Sequence, residues 1–207
     1  MTDQPGPDDL VPCCDTETTG LSVEDGDRIL AIACVVGSAN AGIIGRHRWY
    51  VDTQGRRSSP ESFAVHRIPH NHPDRIHERE ALAHFDAVAN SRWWIMQNGP
   101  FDIAFFNAAY ARHGMRVPQR QLIDTMDLSR KLAPGKAANL DAQGARLGLD
   151  PAMLARRKER HDALEDCEMT FEIWRRSAFP TRLDLESRAT ADRRTVTATN
   201  VSTEIDW

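Results

Sequence analysis

Two carboxylates stand two residues apart in Asp15-Thr16-Glu17, just ahead of Thr18-Thr19-Gly20. On a β-strand, residues two apart point to the same side, so this spacing places Asp15 and Glu17 on one face. Neighbouring carboxylates repel unless a proton or a cation lies between them. Oxygen donors of this kind suit Mg²⁺ or Mn²⁺. Two more acids stand in settings that could complete such a group. Asp102 lies in Asn98-Gly99-Pro100-Phe101-Asp102, at the expected first turn of a helix and next to Phe105-Phe106. Asp166 lies in His161-Asp162-Ala163-Leu164-Glu165-Asp166, where Asp162 and Glu165 have capping-box spacing. His161 then precedes the cap, and Asp166 sits one turn into the helix. Each acid alone has a plainer reading, as a solvated strand end or as an acid that the helix dipole favours. His66, His70, His72 and His77 also cluster, but no cysteine joins them and their spacing fits no standard zinc site. A solvated loop is expected there.

These groups need a sheet and helices to hold them. Leu10 to Asp15 reads as a buried strand, Arg28 to Val36 as a second, and Arg46 to Asp52 as a third. The turn at Asn40-Ala41-Gly42 makes the three an antiparallel meander. From Arg79 to Asn90 the period becomes helical, with Leu82, Phe85 and Ala89 on one face. Trp93 to Met96 reads as a strand, with its two tryptophans assigned to the core. Asn98 reads as the cap of a helix with Pro100 in its first turn. Ile123 to Met126 reads as another strand, and Asn139 as the cap of a helix running to Gly148. Strands followed by alternating helices and strands predict an α/β fold, a mixed sheet with helices on its faces. The 207 residues, 41% hydrophobic and 27% charged, suit one domain that folds without staples. A net charge of −4 excludes a binder that holds nucleic acid by bulk charge alone. Cys13, Cys14, Cys34 and Cys167 lie in apolar runs and are expected to be reduced core residues. No stretch is apolar and long enough for a bilayer, and the acidic, Pro-rich N-terminus shows no signal peptide, so a cytoplasmic location is expected.

Taken together, these segments resemble the DEDD exonucleases, in their histidine (DnaQ-like) branch, and most closely the proofreading epsilon subunits of bacterial DNA polymerase III. Asp15 to Leu21 matches the first motif, DTETTGL, in full, and His161 to Asp166 matches the third, H-x-A-L-x-D. Gln97-Asn98-Gly99-Pro100-Phe101-Asp102 is similar to the second, HNAPFD. Phe63-Ala64-Val65-His66-Arg67-Ile68 resembles the F-x-V-H-G-I turn of the family, and Ile123-Asp124-Thr125 through Leu140-Asp141 its I-D-T to N-L-D segment. The likeness runs from about Val11 to Ile173.

The resemblance implies a ribonuclease H-like mixed five-stranded sheet flanked by helices, with the exonuclease domain over residues 10–178. It implies two divalent cations, Mg²⁺ or Mn²⁺, held by Asp15, Glu17, Asp102 and Asp166. His161 would act as general base, a task that suits an imidazole near neutral pH. Thr16 and Thr18 would line the site of the terminal nucleotide, with His66 and Asn98 near it. The implied reaction is 3′–5′ hydrolysis of DNA to nucleoside 5′-monophosphates at a single-stranded 3′ end, in proofreading. The implied partners are the polymerase III alpha subunit and the sliding clamp. Trimming or decay of RNA is the alternative substrate reading. A polymerase-associated structural subunit with secondary nuclease activity is the alternative of another class, and the five catalytic residues present argue against it.

Four positions depart from the family pattern. Gln97 stands for histidine, Arg67 for a glycine of the kind that serves positive-φ turns, and Cys13-Cys14 for branched aliphatics. None removes a carboxylate. The basic run Arg156-Arg157-Lys158-Glu159-Arg160 precedes His161 and reads either as a solvated face or as a phosphate contact. Residues 1–9 are expected to be a flexible lead-in, and 179–207 a flexible tail. In that tail Leu183, Leu185, Val196, Ile205 and Trp207 could anchor a partner, although Pro180 spoils the match to a clamp-binding motif.

Overall fold

Strands β1 (Val11–Thr18), β2 (Ile29–Ser38) and β3 (Gly42–Val51) form the expected antiparallel meander. The computed structural model describes residues 4–159, 161–181, 183–185 and 188. β2 is buried along most of its length, which explains why it reads as one apolar run instead of an alternation. Strand β5 (Trp93–Met96) lies parallel to β1, and β6 (Gln121–Asp124) parallel to β5. Among the described residues the sheet has six strands, in the order β4-β3-β2-β1-β5-β6, where five were expected. The extra one is β4 (Arg75–Ile76), two residues parallel to the edge of β3. It falls in the histidine-rich segment read as a loop, and two residues are too few to show a period.

Helices α1 (Pro60–His66), α2 (Glu78–Val88) and α3 (Gly99–Arg112) precede β6, and α4 (Thr125–Leu132), α5 (Leu140–Arg146), α6 (Pro151–Glu159) and α7 (Ala163–Ala178) follow it. The alternation of β1 divides the core in two. Cys14, with Ile32 and Cys34 of β2, faces α2 and α3, where Leu82, Phe85, Phe106 and Tyr110 pack. Cys13, Ala33 and Val35 face α7, against Cys167, Phe171 and Trp174. All four cysteines are free thiols in the core, as expected. The expected strand at Ile123 starts two residues earlier, and Thr125 already belongs to α4.

The two ends of the described chain touch the domain. Asn40, at the β2–β3 turn, donates its side-chain amide to Asp8 (2.7 Å) and its backbone N–H to Pro7 (3.0 Å). Beyond α7, Leu183–Leu185 is helical, and Asp184 is buried against Arg175 and Arg176. The anchors Val196, Ile205 and Trp207 lie outside the described residues. Among the described residues, no helix is long and apolar enough to cross a membrane.

Candidate active site

Register explains how β1 carries two acids, Glu17 buried and Asp15 partly buried. Asp15 pairs with Ala33 and Glu17 with Ala31 on β2, and these alanines pair with Arg48 and Tyr50 on β3. Ala31 lines the cleft beside Glu17, whereas Ala33 packs into the core against α7. The strand ends in a turn built around Asp27. The Thr19 hydroxyl, the Ser22 N–H and the Arg56 guanidinium all donate to that carboxylate. A Cβ on Gly20 would stand 2.0 Å from Asp27 Oδ2, so only glycine fits the end of the first motif. Thr18 donates its hydroxyl to the Gly20 carbonyl at 2.6 Å, which uses that hydroxyl to close the turn.

Asp102 reaches the same place from the first turn of α3. Its Oδ1 accepts the Thr16 N–H (3.0 Å) and the Thr16 hydroxyl (2.6 Å), so Thr16 holds an acid of the cluster across the edge of β1. Asn98 occupies the cap position of α3, yet its side chain makes no capping bond, contrary to expectation. It sits in the left-handed region at φ 58°, and Asp124 at the end of β6 does the capping. Asp124 accepts the backbone N–H groups of Asn98 (3.1 Å) and Gly99 (3.0 Å). The same carboxylate also caps α4 through the Met126 N–H at 2.8 Å.

The third motif forms the start of α7. Asp162 caps it, accepting from the Leu164 and Glu165 N–H groups. Arg48 of β3 pairs with Asp162, tying the cap to the sheet. The free N–H of Ala163 donates to Glu17, so the positive end of α7 faces the strand acids. Asp166 is 7% exposed, and His161 Nδ1 lies 3.9 Å from its Oδ2. His66, the last residue of α1, is buried. Its Nδ1 accepts the Ile68 N–H at 2.8 Å, so its Nε2 carries the proton and donates to Ser58 Oγ at 3.0 Å. Burial, then Arg75, lower its pKa to about 4, which keeps it neutral. Arg67 follows at φ 55°, in the conformation for which the family pattern has glycine. A cleft of about 100 Å³ opens between Glu17, His161, Arg48, Tyr50 and His66.

Burial is the main force on the four acids. It raises Asp15 well above the carboxylate range, and the charges of Asp102, Asp166 and Glu17 push it further. Burial and then Asp166 bring Glu17 to about 8. Burial lifts Asp102 to about 7, against the bonds from Thr16. Asp166 is raised by burial too, but Arg157 opposes the rise. Burial and then Arg157 lower His161, which leaves it a neutral imidazole able to accept a proton.

The structure therefore brings Asp15, Glu17, Asp102, Asp166 and His161 together. Thr16 lies behind them as a brace for Asp102, His66 lines the cleft, and Asn98 is exposed at the start of α3. The four acids do not form a closed ligand shell: among the described residues, no group of three or more such side chains is drawn together around a common point. One reason is that Thr16 holds Asp102 and Arg157 holds Asp166. Hard-oxygen donors that raise each other's pKa nonetheless fit a divalent cation, which removes the repulsion that burial has concentrated. The sequence reading assigned no role here to Asp124, Asp27 or Arg48. Of these, Asp124 lay in the I-D-T segment and Arg48 in the expected third strand, while Asp27 lay in neither.

The exonuclease family model, of the ribonuclease T type, matches residues 13–174. The DNA polymerase III epsilon subunit of Haemophilus influenzae is 27% identical over 168 residues, 77% of this chain and 64% of that protein. That of Rickettsia conorii is 30% identical over 181 residues, 80% of this chain and 74% of that protein. The chain thus spans about two thirds of the Haemophilus protein. Exonuclease X in complex with 5′ overhanging duplex DNA superposes with a TM-score of 0.58 at 24% identity, covering 87% of this chain and 98% of that one. The nuclease domain of 3′hExo, a DEDDh family member bound to rAMP, superposes at 0.67 with 15% identity, covering 83% and 92%. At these identities the superpositions speak for the fold alone, a ribonuclease H-like sheet. With the family model matched across all three motifs, the chain belongs to the exonuclease family, on its DnaQ-like, epsilon-related branch.

Proposed function

We propose that this protein is a 3′–5′ exonuclease that removes nucleoside 5′-monophosphates from single-stranded DNA ends, as a proofreading activity for a DNA polymerase. The observation that carries this reading is the convergence of Asp15, Glu17, Asp102 and Asp166 on one end of the sheet with a neutral His161 beside them. Asp15, Glu17, Asp102 and Asp166 would hold two divalent cations, Mg²⁺ or Mn²⁺. When bound, such cations acidify water and neutralise charge on the departing 3′ oxygen. His161 takes the proton of the attacking water, for which its lowered pKa and partly open position fit it. Thr16 fixes Asp102, and Asp162 fixes the turn that carries His161 and Asp166. The cleft beside Glu17, lined by the small side chain of Ala31, leaves room for the strand end.

DNA is the proposed substrate because the relatives with curated names are polymerase subunits. A polymerase alpha subunit and a sliding clamp are the proposed partners on the same ground. The test is degradation of matched single-stranded DNA, a mispaired-end duplex and RNA of the same sequence by the pure protein with Mg²⁺ or Mn²⁺. Release of 5′-mononucleotides from the DNA 3′ end is expected, fastest from the single strand and the mispaired end. Faster loss of RNA would transfer the reading to RNA decay, and cleavage inside the strand would overturn it.

A further inference from the structure

Arg157 enters the site from α6. Its Nε donates to Asp166 Oδ1 at 2.7 Å and its Nη2 to Asp166 Oδ2 at 3.2 Å. Its Nη1 donates to Asp141 Oδ2 at 2.9 Å, and Nη2 lies 3.5 Å from His161 Nδ1. One guanidinium thus forks onto both oxygens of Asp166 while touching the imidazole proposed as base. The setting is enclosed: the side chains of Arg157 and Asp166 are 13% and 10% exposed. Arg156, the neighbour in the same basic run, pairs with Glu165 at 3.3 Å and is 53% exposed. Of these two arginines in the run, only Arg157 is turned inward.

The fork takes one lone pair on each oxygen of Asp166, and a divalent cation on the same carboxylate would meet the positive charge of the guanidinium. Fork and cation therefore oppose each other at this residue. Asp141 offers the guanidinium a second place. It is 40% exposed, at the rim, so Arg157 can keep that partner while releasing Asp166. We propose that Arg157 is a positioning residue that competes with the divalent cation for Asp166, holding this acid and His161 in place until the cation takes the carboxylate. The inference rests on the cation role proposed above for Asp166. It makes α6 the part of the domain whose side chain must move when the site loads, with Asp141 receiving the released charge.

The experiment is calorimetric titration of the full chain with Mn²⁺ alone, for the wild type, Arg157→Gln, Arg157→Lys and Arg156→Gln. Arg157→Gln is expected to bind Mn²⁺ about 5- to 150-fold more tightly, the range of a typical coupling between two sites. Arg157→Lys keeps the charge but loses the fork, and should fall between. Arg156→Gln removes the same charge from the rim and should change affinity less than about twofold, because solvent and salt screen it. In EDTA, Arg157→Gln should melt below the wild type, and Mn²⁺ should raise its Tm by more than it raises that of the wild type. Equal Mn²⁺ affinity in wild type and Arg157→Gln overturns the competition while leaving the cation reading intact. Equal gains in Arg156→Gln and Arg157→Gln overturn it too, because net charge alone would then explain the effect. Absence of Mn²⁺ binding in all four proteins overturns the cation role of Asp166, and the competition falls with it. If Arg157→Gln does not fold, the comparison of Arg157→Lys with the wild type decides.

Discussion

Asp15 and Asp166 carry the same carboxyl group in opposite electrostatic company. After burial, every influence on Asp15 is another group that raises its pKa, whereas Asp166 has Arg157 forked onto it. Both substitutions to asparagine should abolish hydrolysis, yet their effects on stability should have opposite signs. Asp15→Asn relieves repulsion, and in EDTA at pH 8 it should raise Tm by about 2–4 °C, the equivalent of about 1 kcal/mol at this size. Asp166→Asn leaves a buried guanidinium short of a charged partner and should cost about 1–3 kcal/mol. Scanning calorimetry of the two variants with chelator settles it, and Tm shifts of the same sign in both would contradict these environments. The pH dependence follows from the same acids. Glu17 at about 8 and Asp102 at about 7 lie far above unfolded carboxylates, which titrate near 4. A raised folded pKa contributes stability that is fully present below the unfolded pKa and is lost as pH rises through the folded value. Tm in EDTA should therefore fall as pH rises from about 5, most steeply just below about pH 7, where both folded acids still hold protons that the unfolded ones have lost, and level off above about pH 8. The strongest charges on these two acids are other carboxylates, Asp166 and Asp162 on Glu17 and Asp124 on Asp102, and His66, lowered to about 4, opposes the trend only below about pH 6.5. Asp27 and Glu78 are shifted down, and their contribution is confined to the acid side. A Tm in chelator that stays flat or rises across that interval would sink the prediction.

At the scale of elements, one carboxylate joins three of them. Asp124 ends β6, caps α3 through Asn98 and Gly99, and caps α4 through Met126. Asp124→Ala removes two caps at once and should cost about 2–4 kcal/mol, twice the ordinary value of a cap. Because α3 carries Asp102, hydrolysis should fall with it, while Asp124→Asn should recover part of both. Urea unfolding of the two variants provides the measurement, and a loss below about 1 kcal/mol for Asp124→Ala would show that packing alone holds α3. This brace also marks where the sequence stops being legible. The D-x-E pair and the Asp162 cap were readable because strand period and capping are local rules, and both lie in place. The Asn98 cap was misread because the real cap stands 26 residues away, beyond any local rule. Arg67 was readable as a strained substitute for glycine, and its φ of 55° follows. Helix α6 was missed although Asp150 accepts the Ala152 N–H at 2.9 Å ahead of its first turn. Its run of arginines read as a surface, and composition could not show that Arg157 faces inward.

At the scale of the whole molecule, the sheet supplies the floor, α3 and α7 supply two of its acids, and the segment after α7 fastens the last helix. Asp184 is 4% exposed and meets Arg175 at 3.1 Å and Arg176 at 3.3 Å on α7. The Thr181 hydroxyl and N–H donate to it at 2.7 and 2.8 Å, which closes a turn over the helix end. Burial pushes its pKa up, but the bonds from Thr181 and Arg175 outweigh that and bring it to about 2. A depressed folded pKa contributes stability that is present above the unfolded value and lost as pH falls through the folded one, here between about pH 4 and 2. The residues just past Ala178 are therefore part of how α7 is held, and α7 carries Asp166. Asp184→Ala leaves two partly buried arginines on α7 without this partner, although Glu172 remains beside both. The expected loss is about 1–3 kcal/mol, below the full value of a broken buried pair because Glu172 is retained. Hydrolysis of a short single strand should stay near the wild-type rate at 25 °C, since no acid of the site is touched. Truncation after Ala178 should reproduce the loss of stability, and truncation after Arg188 should not. Denaturant unfolding of the three proteins beside a single-strand assay decides the matter. If truncation after Ala178 leaves stability unchanged, the contacts of Asp184 are incidental and the catalytic unit ends with α7.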